Sequence, residues 1–559
     1  MSGRPPGGGP GGDVEGRLVV RVLDALLRED VCRLRGTARA VSRPDGERLA
    51  LTIAGETILL PVAYDGPGGV ARVRAPLLET VDGPVTGLHA VLERLRPATD
   101  PRERAGFDAL TAACAAELAA LRLRERTDED VAERLAAAYG RSAAAWTGPR
   151  GALAYDALAA RRPDPPTGRP RTAELAVYEP EFHPCFGLRW VALPRAAVQR
   201  GPGEPPPWWP APDALGLPEL TATHTMLPVH PLTAGPPLAR ALRATGLDGA
   251  ARLAEKPWAD VVPTRSAGVL VLVDAPEYRL ELPLPDGTSP APAALADGVV
   301  TQRVLEEVLL CEPGFVGSVL PAAADTHLHA GHPLLTARVR RDPYEPADVH
   351  VVPVAALAAR TPDGEPVAGA LARRYYGGSA RAFADAYLTL LLDWCTTLFS
   401  YGVALETHPR DLALVLDEHR GRTRLRLLYR DHAGPRVNGV RFASRLGGEA
   451  ADLLGFADRG ILAGHDGPVA DLLAAGALRR CAVEPLSVLT GTDRADGLRL
   501  LRDRLDDALH RLPPGAAAVL RTRLLDAARL PVRAVLTPML RPGAPEYVNV
   551  PNYLWAPVC

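Results

Sequence analysis

Residues 401–431 read YGVALETHPRDLALVLDEHRGRTRLRLLYRD and carry Glu406, His408, Arg410, Asp411 and Asp431 within about thirty positions. Three carboxylates, an imidazole and a guanidinium meeting at one point would suit a nucleotide and its magnesium. Mg2+ takes hard oxygen ligands, commonly one or two carboxylates together with substrate phosphates, and a guanidinium grips phosphate through paired N–H donors. The residue types also leave a plainer reading open. Acidic residues at strand ends are often solvated turn formers, and His408 beside Pro409 can do no more than begin a turn.

The elements around these residues decide whether they can meet. Leu412, Leu414 and Leu416 alternate with smaller residues, 418–423 is a polar turn containing Gly421, and 425–429 is a second apolar run. That pattern predicts an antiparallel hairpin. The entry of its first strand and the exit of its second lie at one end, so Asp411 and the His408 loop approach Asp431. Upstream, 357–402 predicts helices, with Phe383, Tyr387, Leu391, Trp394 and Leu398 along one face. Residues 17–29 form an amphipathic helix and 48–62 a β-hairpin around Ala54 and Gly55. Residues 78–160 are expected to be largely helical, 163–170 form a Pro-rich break, and 174–354 are more β than α. Residues 450–528 return to helix before an extended closing segment. Four divisions follow: a disordered tail at 1–16, a mostly helical domain at 17–165, a β-rich nucleotide-binding domain at 170–355, and a C-terminal domain at 356–559 with the hairpin and closing helices.

Composition narrows the class. The chain has 559 residues and a formal net charge of -2, without the basic stripe of a nucleic-acid binder. Lys256 is its only lysine, so arginine has to serve wherever a cation is needed. Seven scattered cysteines without paired spacing fit a reducing compartment and no zinc knuckle. The Gly- and Pro-rich start lacks the apolar core of a signal peptide. The longest apolar run, 386–399, is interrupted by Asp393 and too short to cross a membrane. These features predict a cytoplasmic protein with no nucleic-acid or membrane partner. His327, His329 and His332 in THLHAGHP have a spacing compatible with zinc or nickel but read more simply as a loop. Arg338, Arg340 and Arg341 read as a solvated charge run, and no P-loop, nucleophile elbow or dinucleotide fingerprint is present.

Taken together, YGVALETHPRDLALVL and LRLLYRDHAG resemble the signature of the IucA/IucC family, the NRPS-independent siderophore (NIS) synthetases. That signature runs from tyrosine-glycine through glutamate-x-histidine-glycine-glutamine-asparagine to a strand ending in arginine-aspartate-phenylalanine. EFHPCFGLR at 181–189, MLPVHPLTA at 226–234, VVPTRSAGVLVL at 261–272, YRLELPLP at 278–285 and the closing LPVRAVLTPML and VNVPNYLW resemble further family motifs in the same order. The resemblance spans roughly 174–555. It implies a multi-lobed α+β fold (thumb, fingers and palm-like) with antiparallel sheets and a helical C-terminal lobe.

It also implies an AMP-forming, ATP-dependent ligase with ATP and Mg2+ as cofactors. Such an enzyme adenylates citrate or a related polycarboxylate and condenses it with an amine or an alcohol in siderophore biosynthesis. A homodimer is compatible with the family. By the same resemblance, Glu406 and Asp431 hold magnesium and nucleotide, and His408 meets the carboxylate substrate. Arg410 and Asp411 occupy the family's glutamine and asparagine positions, His183, Arg189 and Ser266 fall in nucleotide-side motifs, and Arg303 grips the acid. The chain departs from the pattern at Gly187, where a lysine is expected. Gly268 and Val269 replace an arginine and a threonine, and Glu281 replaces a strand lysine. An acid for a cation beside triphosphate weakens binding, since charge-assisted hydrogen bonds are worth about 1.5–3 kcal/mol each. Arg265 and Arg279 are the neighbours able to compensate. Two alternatives follow: a catalytically degenerate relative that binds a carboxylate or a partner, and an ATP-dependent ligase for a metabolite that is not a siderophore.

Overall fold

The computed structural model describes residues 14–53, 55–64, 71–97, 100–160, 177–285, 292–343, 348–432, 434–491, 494–541 and 543–555. The expected tail (to residue 13), Ala54 and the Pro-rich break lie outside the described residues. The described chain mixes helices with several mainly antiparallel sheets, the α+β class expected. Contacts divide it into two compact units: one takes 14–128 and 527–555, the other 129–160 and 177–526.

In the first unit, helix Val14–Arg28 buries Leu18, Val19, Val22, Leu23 and Leu26 along one stripe. The strands Gly46–Ile53 and Glu56–Tyr64 form the expected hairpin, and Gly55 takes the positive φ of 85° that its tight turn requires. The helical stretch begins later than 78, because Leu77–Thr80 and Gly83–Thr86 pair as strands first. Alternation around the Val81–Asp82 turn outweighed helix propensity there. The long helix Pro101–Arg126 starts where Asp100 accepts from the Arg102 backbone N–H at 2.8 Å, with Pro101 at its first position. The closing segment, Arg529–Arg533 paired with Tyr547–Pro551, belongs to this unit. Glu29 is the tie: its buried carboxylate accepts from the backbone N–H groups of Val535, Leu536 and Thr537 at 3.0, 2.9 and 2.8 Å.

The second unit is organised by two sheets. Seven antiparallel strands run Phe186–Gly187, Asp260–Pro263, Val269–Leu272, Tyr278–Glu281, Thr336–Arg341, Ala323–His329 and Gln199–Arg200. A four-stranded sheet joins Val319–Pro321, Arg422–Tyr429, Leu412–His419 and His350–Pro353. Its central pair is the expected hairpin, turned by Arg420 and Gly421 with φ of 52° and 72°. Positive φ at both loop residues is the turn whose twist matches that of paired strands. Helix Ala380–Ser400, capped by Ser379, buries the whole predicted face from Phe383 to Leu398. No helix among the described residues is long and apolar enough to cross a membrane, and the six described cysteines are all free thiols.

Glu29→Ala leaves three N–H donors without their acceptor. It should lower stability by about 3 kcal/mol, and limited proteolysis should then nick 541–555 before any other segment. Unchanged melting and an unchanged cleavage pattern would show that the closing segment is held by other contacts.

Candidate functional site

The hairpin places its two aspartates side by side. Its ladder runs from Leu412 opposite Tyr429, and one more bond, Arg430 N–H to the Asp411 carbonyl at 2.9 Å, extends it past the strand end. Asp411 and Asp431 therefore leave the same end of the sheet. Arg265 lies between them, its Nη1 at 2.5 Å from Asp411 Oδ1 and 2.7 Å from Asp431 Oδ2. The second oxygen of Asp431 accepts from Arg340 at 2.7 Å.

The other cations come from the seven-stranded sheet. In Thr336–Arg341 the small apolar Ala337 and Val339 point into the core, so Arg338 and Arg340 share the opposite face. Arg338 stands opposite Glu281 and Arg340 opposite Arg279 in the adjacent strand. Glu281 lies 2.9 Å from Arg338, 3.3 Å from Arg340 and 3.6 Å from Arg265. Three guanidiniums thus face three carboxylates: Arg265, Arg338 and Arg340 against Glu281, Asp411 and Asp431. Burial disfavours the charged form of Asp431, but Arg340 and Arg265 outweigh it and hold that carboxyl well below its usual range. At Asp411 burial prevails over Arg265 and pushes the carboxyl up.

A second group of charges fixes the first. Arg279 lies 3.1 Å from Asp156 and 3.2 Å from Asp342. Arg430 lies 2.5 Å from the same Asp156 and 3.8 Å from Asp342. All four side chains are buried, so helix Gly148–Ala160, which carries Asp156, is tied to both sheets. Arg430 and Asp431 are neighbours in sequence: one locks the strand end and the other faces the cluster.

The loop before the hairpin carries the remaining signature residues. His408 Nδ1 accepts from the Arg410 backbone N–H at 3.2 Å and lies 4.0 Å from Asp411 Oδ2. Arg410 Nη1 is 3.5 Å from the Arg265 carbonyl. Glu406 Oε2 sits so close to Gly434 that a Cβ there would lie 2.9 Å away. The loop rests on helix Ala474–Val483, where Gly476 brings its backbone against Thr407. Ser266 lies in the same turn as Arg265, its carbonyl accepting from Val269 N–H at 3.0 Å.

Other expected residues are engaged differently. His183 is buried, bonded through Nε2 to Tyr139 at 2.9 Å, and Arg189 donates to the Ala254 carbonyl at 3.0 Å. Arg303 is on the exposed side of helix Pro292–Cys311, and no hydrogen bond or ion pair described joins it to the cluster. His327 and His329 lie on strand Ala323–His329 and not in a loop, while His332 Nδ1 accepts from Leu334 N–H at 3.0 Å. Among the described residues no group of three or more His, Cys, Asp or Glu is arranged to hold a metal.

The arginine run is the main correction. Arg338 and Arg340 are buried at 4% and 1% exposure and are not a solvated edge. The alternation of TARVR at 336–340, with small apolar residues before and between the arginines, was the available signal. Glu281 is likewise no bare acid, since three guanidiniums surround it. Gly268 has its own reason: a Cβ there would lie 2.6 Å from the Leu282 carbonyl oxygen, so no side chain fits. The cation of this turn comes from Arg265 instead.

Two consequences can be measured. Glu281→Lys would add a fourth cation to Arg265, Arg338 and Arg340. It should destabilise by about 3–5 kcal/mol; a stable variant with tighter ATP binding would contradict the pairing. Burial also lowers His183 and His230 to about 4, and burial with Arg340 lowers His432 to about 3. These imidazoles are neutral when folded but titrate near 6.5 when unfolded. Their contribution is complete above about pH 6.5 and is lost as pH falls towards 4, at about 1.4 kcal/mol per unit per group. Melting temperature should fall over that window, and His432→Leu should flatten the slope; an unchanged slope would show that His432 is charged or exposed.

Comparison with known proteins agrees with this architecture. Residues 381–544 match a family model described as ferric iron reductase FhuF-like transporter. No curated protein matches the chain. Aerobactin synthetase IucA from Klebsiella pneumoniae is similar at 17% identity and a TM-score of 0.68, over 96% of this chain and 99% of that one, and its ATP-bound structure matches equally well. The petrobactin biosynthesis protein AsbB from Bacillus anthracis is similar at 13% identity and a TM-score of 0.73, over 96% and 95% of the two chains. Aerobactin synthetase IucC from Klebsiella pneumoniae follows at 18% identity and a TM-score of 0.65, over 90% and 92%. The order of motifs in the sequence and the course of the backbone lead to one conclusion: this chain has the fold of the aerobactin synthetases IucA and IucC and of AsbB.

Proposed function

We propose that the chain is an ATP-dependent ligase of siderophore biosynthesis and a divergent relative of the IucA/IucC synthetases. It activates a carboxylate of the polycarboxylate class, such as citrate, and condenses it with an amine or hydroxyl. The observation that carries this reading is the cluster of Arg265, Arg338 and Arg340 with Glu281, Asp411 and Asp431, at one hairpin end in a fold shared with an ATP-bound synthetase. In the reaction, a substrate carboxylate oxygen attacks the α-phosphorus of ATP and pyrophosphate leaves. The amine or hydroxyl then attacks the acyl carbon, and AMP leaves with the bonding electrons of the acyl–oxygen bond.

The chain's residues suit that chemistry in specific ways. Charge building on phosphate oxygens needs fixed cationic donors, and the guanidiniums are already held in place by carboxylates, so little reorganisation is left for the reacting state. His408, 4.0 Å from Asp411, is the group to meet the acid. Glu406, close against Gly434, is the nucleotide-side carboxylate. Magnesium fits Asp431 poorly, because both of its oxygens already accept from guanidiniums. No step of the scheme depends on a metal at that position.

One observation favours the degenerate reading, in which the fold binds a carboxylate or a partner without adenylating it: the six charges of the cluster already satisfy one another. Calorimetric titration of ATP, with and without citrate, separates the two readings. The ligase reading expects saturable binding and citrate-dependent pyrophosphate release, with turnover reduced roughly 100-fold or more in Arg340→Gln, as for loss of one transition-state donor. No ATP binding at millimolar concentration in the presence of a panel of polycarboxylates would sink it. Product analysis with varied amines distinguishes a siderophore from another carboxylate-derived metabolite.

A further inference from the structure

We infer that Arg265 is a tethered cation, a guanidinium that joins Asp411 to Asp431 so that this carboxylate pair is built around an arginine and closed to divalent metal. The inference deepens the proposed function by assigning the cation of the site, but its geometry does not depend on ATP chemistry. One nitrogen, Nη1, touches an oxygen of each carboxylate at 2.5 and 2.7 Å. Two carboxylates this close repel each other unless a cation lies between them or one takes up a proton. Arg265 supplies that cation.

Two further observations leave no place for a second ion, and a third shows how the arginine is delivered. Asp431 Oδ1 is already committed to Arg340 at 2.7 Å, whereas magnesium demands open, octahedrally arranged oxygens and retains several waters. The cluster is balanced at three positive and three negative groups, and a divalent ion would leave it with excess positive charge. The arginine is also delivered by a preformed turn. Thr264 N–H donates to the Val269 carbonyl at 2.8 Å and Val269 N–H to that of Ser266 at 3.0 Å, closing the loop between strands Asp260–Pro263 and Val269–Leu272. Gly268 in that turn has no room for a side chain, and the turn's cation is supplied from position 265.

The test is Mn2+ binding without nucleotide, read as loss of the free-ion paramagnetic resonance signal and as a shift in melting temperature. Wild type should bind no Mn2+ that Asp431→Asn can abolish. Arg265→Gln should bind one ion at least tenfold more tightly than wild type, gain melting temperature from it, and lose both effects when Asp431→Asn is added. Arg265→Lys, which keeps the charge, should behave like wild type. The inference is overturned if wild type binds one ion per chain through Asp431, or if folded Arg265→Gln binds none. Should Arg265→Gln not fold, wild type and Asp431→Asn decide the matter alone. None of these readouts uses ATP, so the ligase reading and the tethered cation can fail separately.

Discussion

Charge neutralisation in a space mostly closed to water is the constraint on which the second unit depends. Taking a single ion out of water costs several kcal/mol, which is recovered only if a partner is placed at hydrogen-bonding distance. Here the partners come from distant parts of the chain: Asp156 from a helix, Arg279 and Glu281 from one strand, Arg338 and Arg340 from the next, Asp411 and Asp431 from the hairpin. Each pair is thus also a statement about how two elements are positioned. The strand pairing of Arg279 with Arg340 would be repulsive by itself. It is tolerable because Asp156 and Asp342 take one arginine while Glu281 and Asp431 take the other.

This arrangement also explains how an apparently damaged motif stays coherent. Read one position at a time, glutamate at 281 and glycine at 268 look like losses from a cation-rich site. Read together, the glycine admits a backbone carbonyl, the neighbouring turn residue provides the guanidinium, and the glutamate spaces two buried arginines. Substitution in such a network is compensated by geometry and not by residue type. Position-by-position comparison therefore misses the guanidiniums that this cluster draws from other positions.

Much of this was legible in the chain itself. The hairpin followed from Leu412, Leu414 and Leu416 with the turn at Gly421, and so did the meeting of Asp411 with Asp431. The buried face of helix Ala380–Ser400 followed from its spacing. What stayed hidden has a common cause: whether a charged residue is buried depends on partners far away in sequence. Arg338 and Arg340 looked like a wet edge because the carboxylates that neutralise them, Glu281 and Asp431, are far away in sequence, and Glu281 looked unpaired for the same reason. Arg303 was read from motif order alone, and the regular spacing of its helix does not tell that its side chain lies on the exposed side.

The bond from Glu29 to residues 535–537 spans more than five hundred positions. On a ribosome the first helix emerges long before the segment that its carboxylate caps has been made. Until then the first unit holds a charge it cannot bury, and loop closure has to await synthesis of everything between the two partners. The unit that contains Glu29 is therefore complete only once residues 535–537 have been made. A chain interrupted anywhere between Glu29 and position 535 would betray itself at the first helix, as an unfinished surface open to cellular quality control.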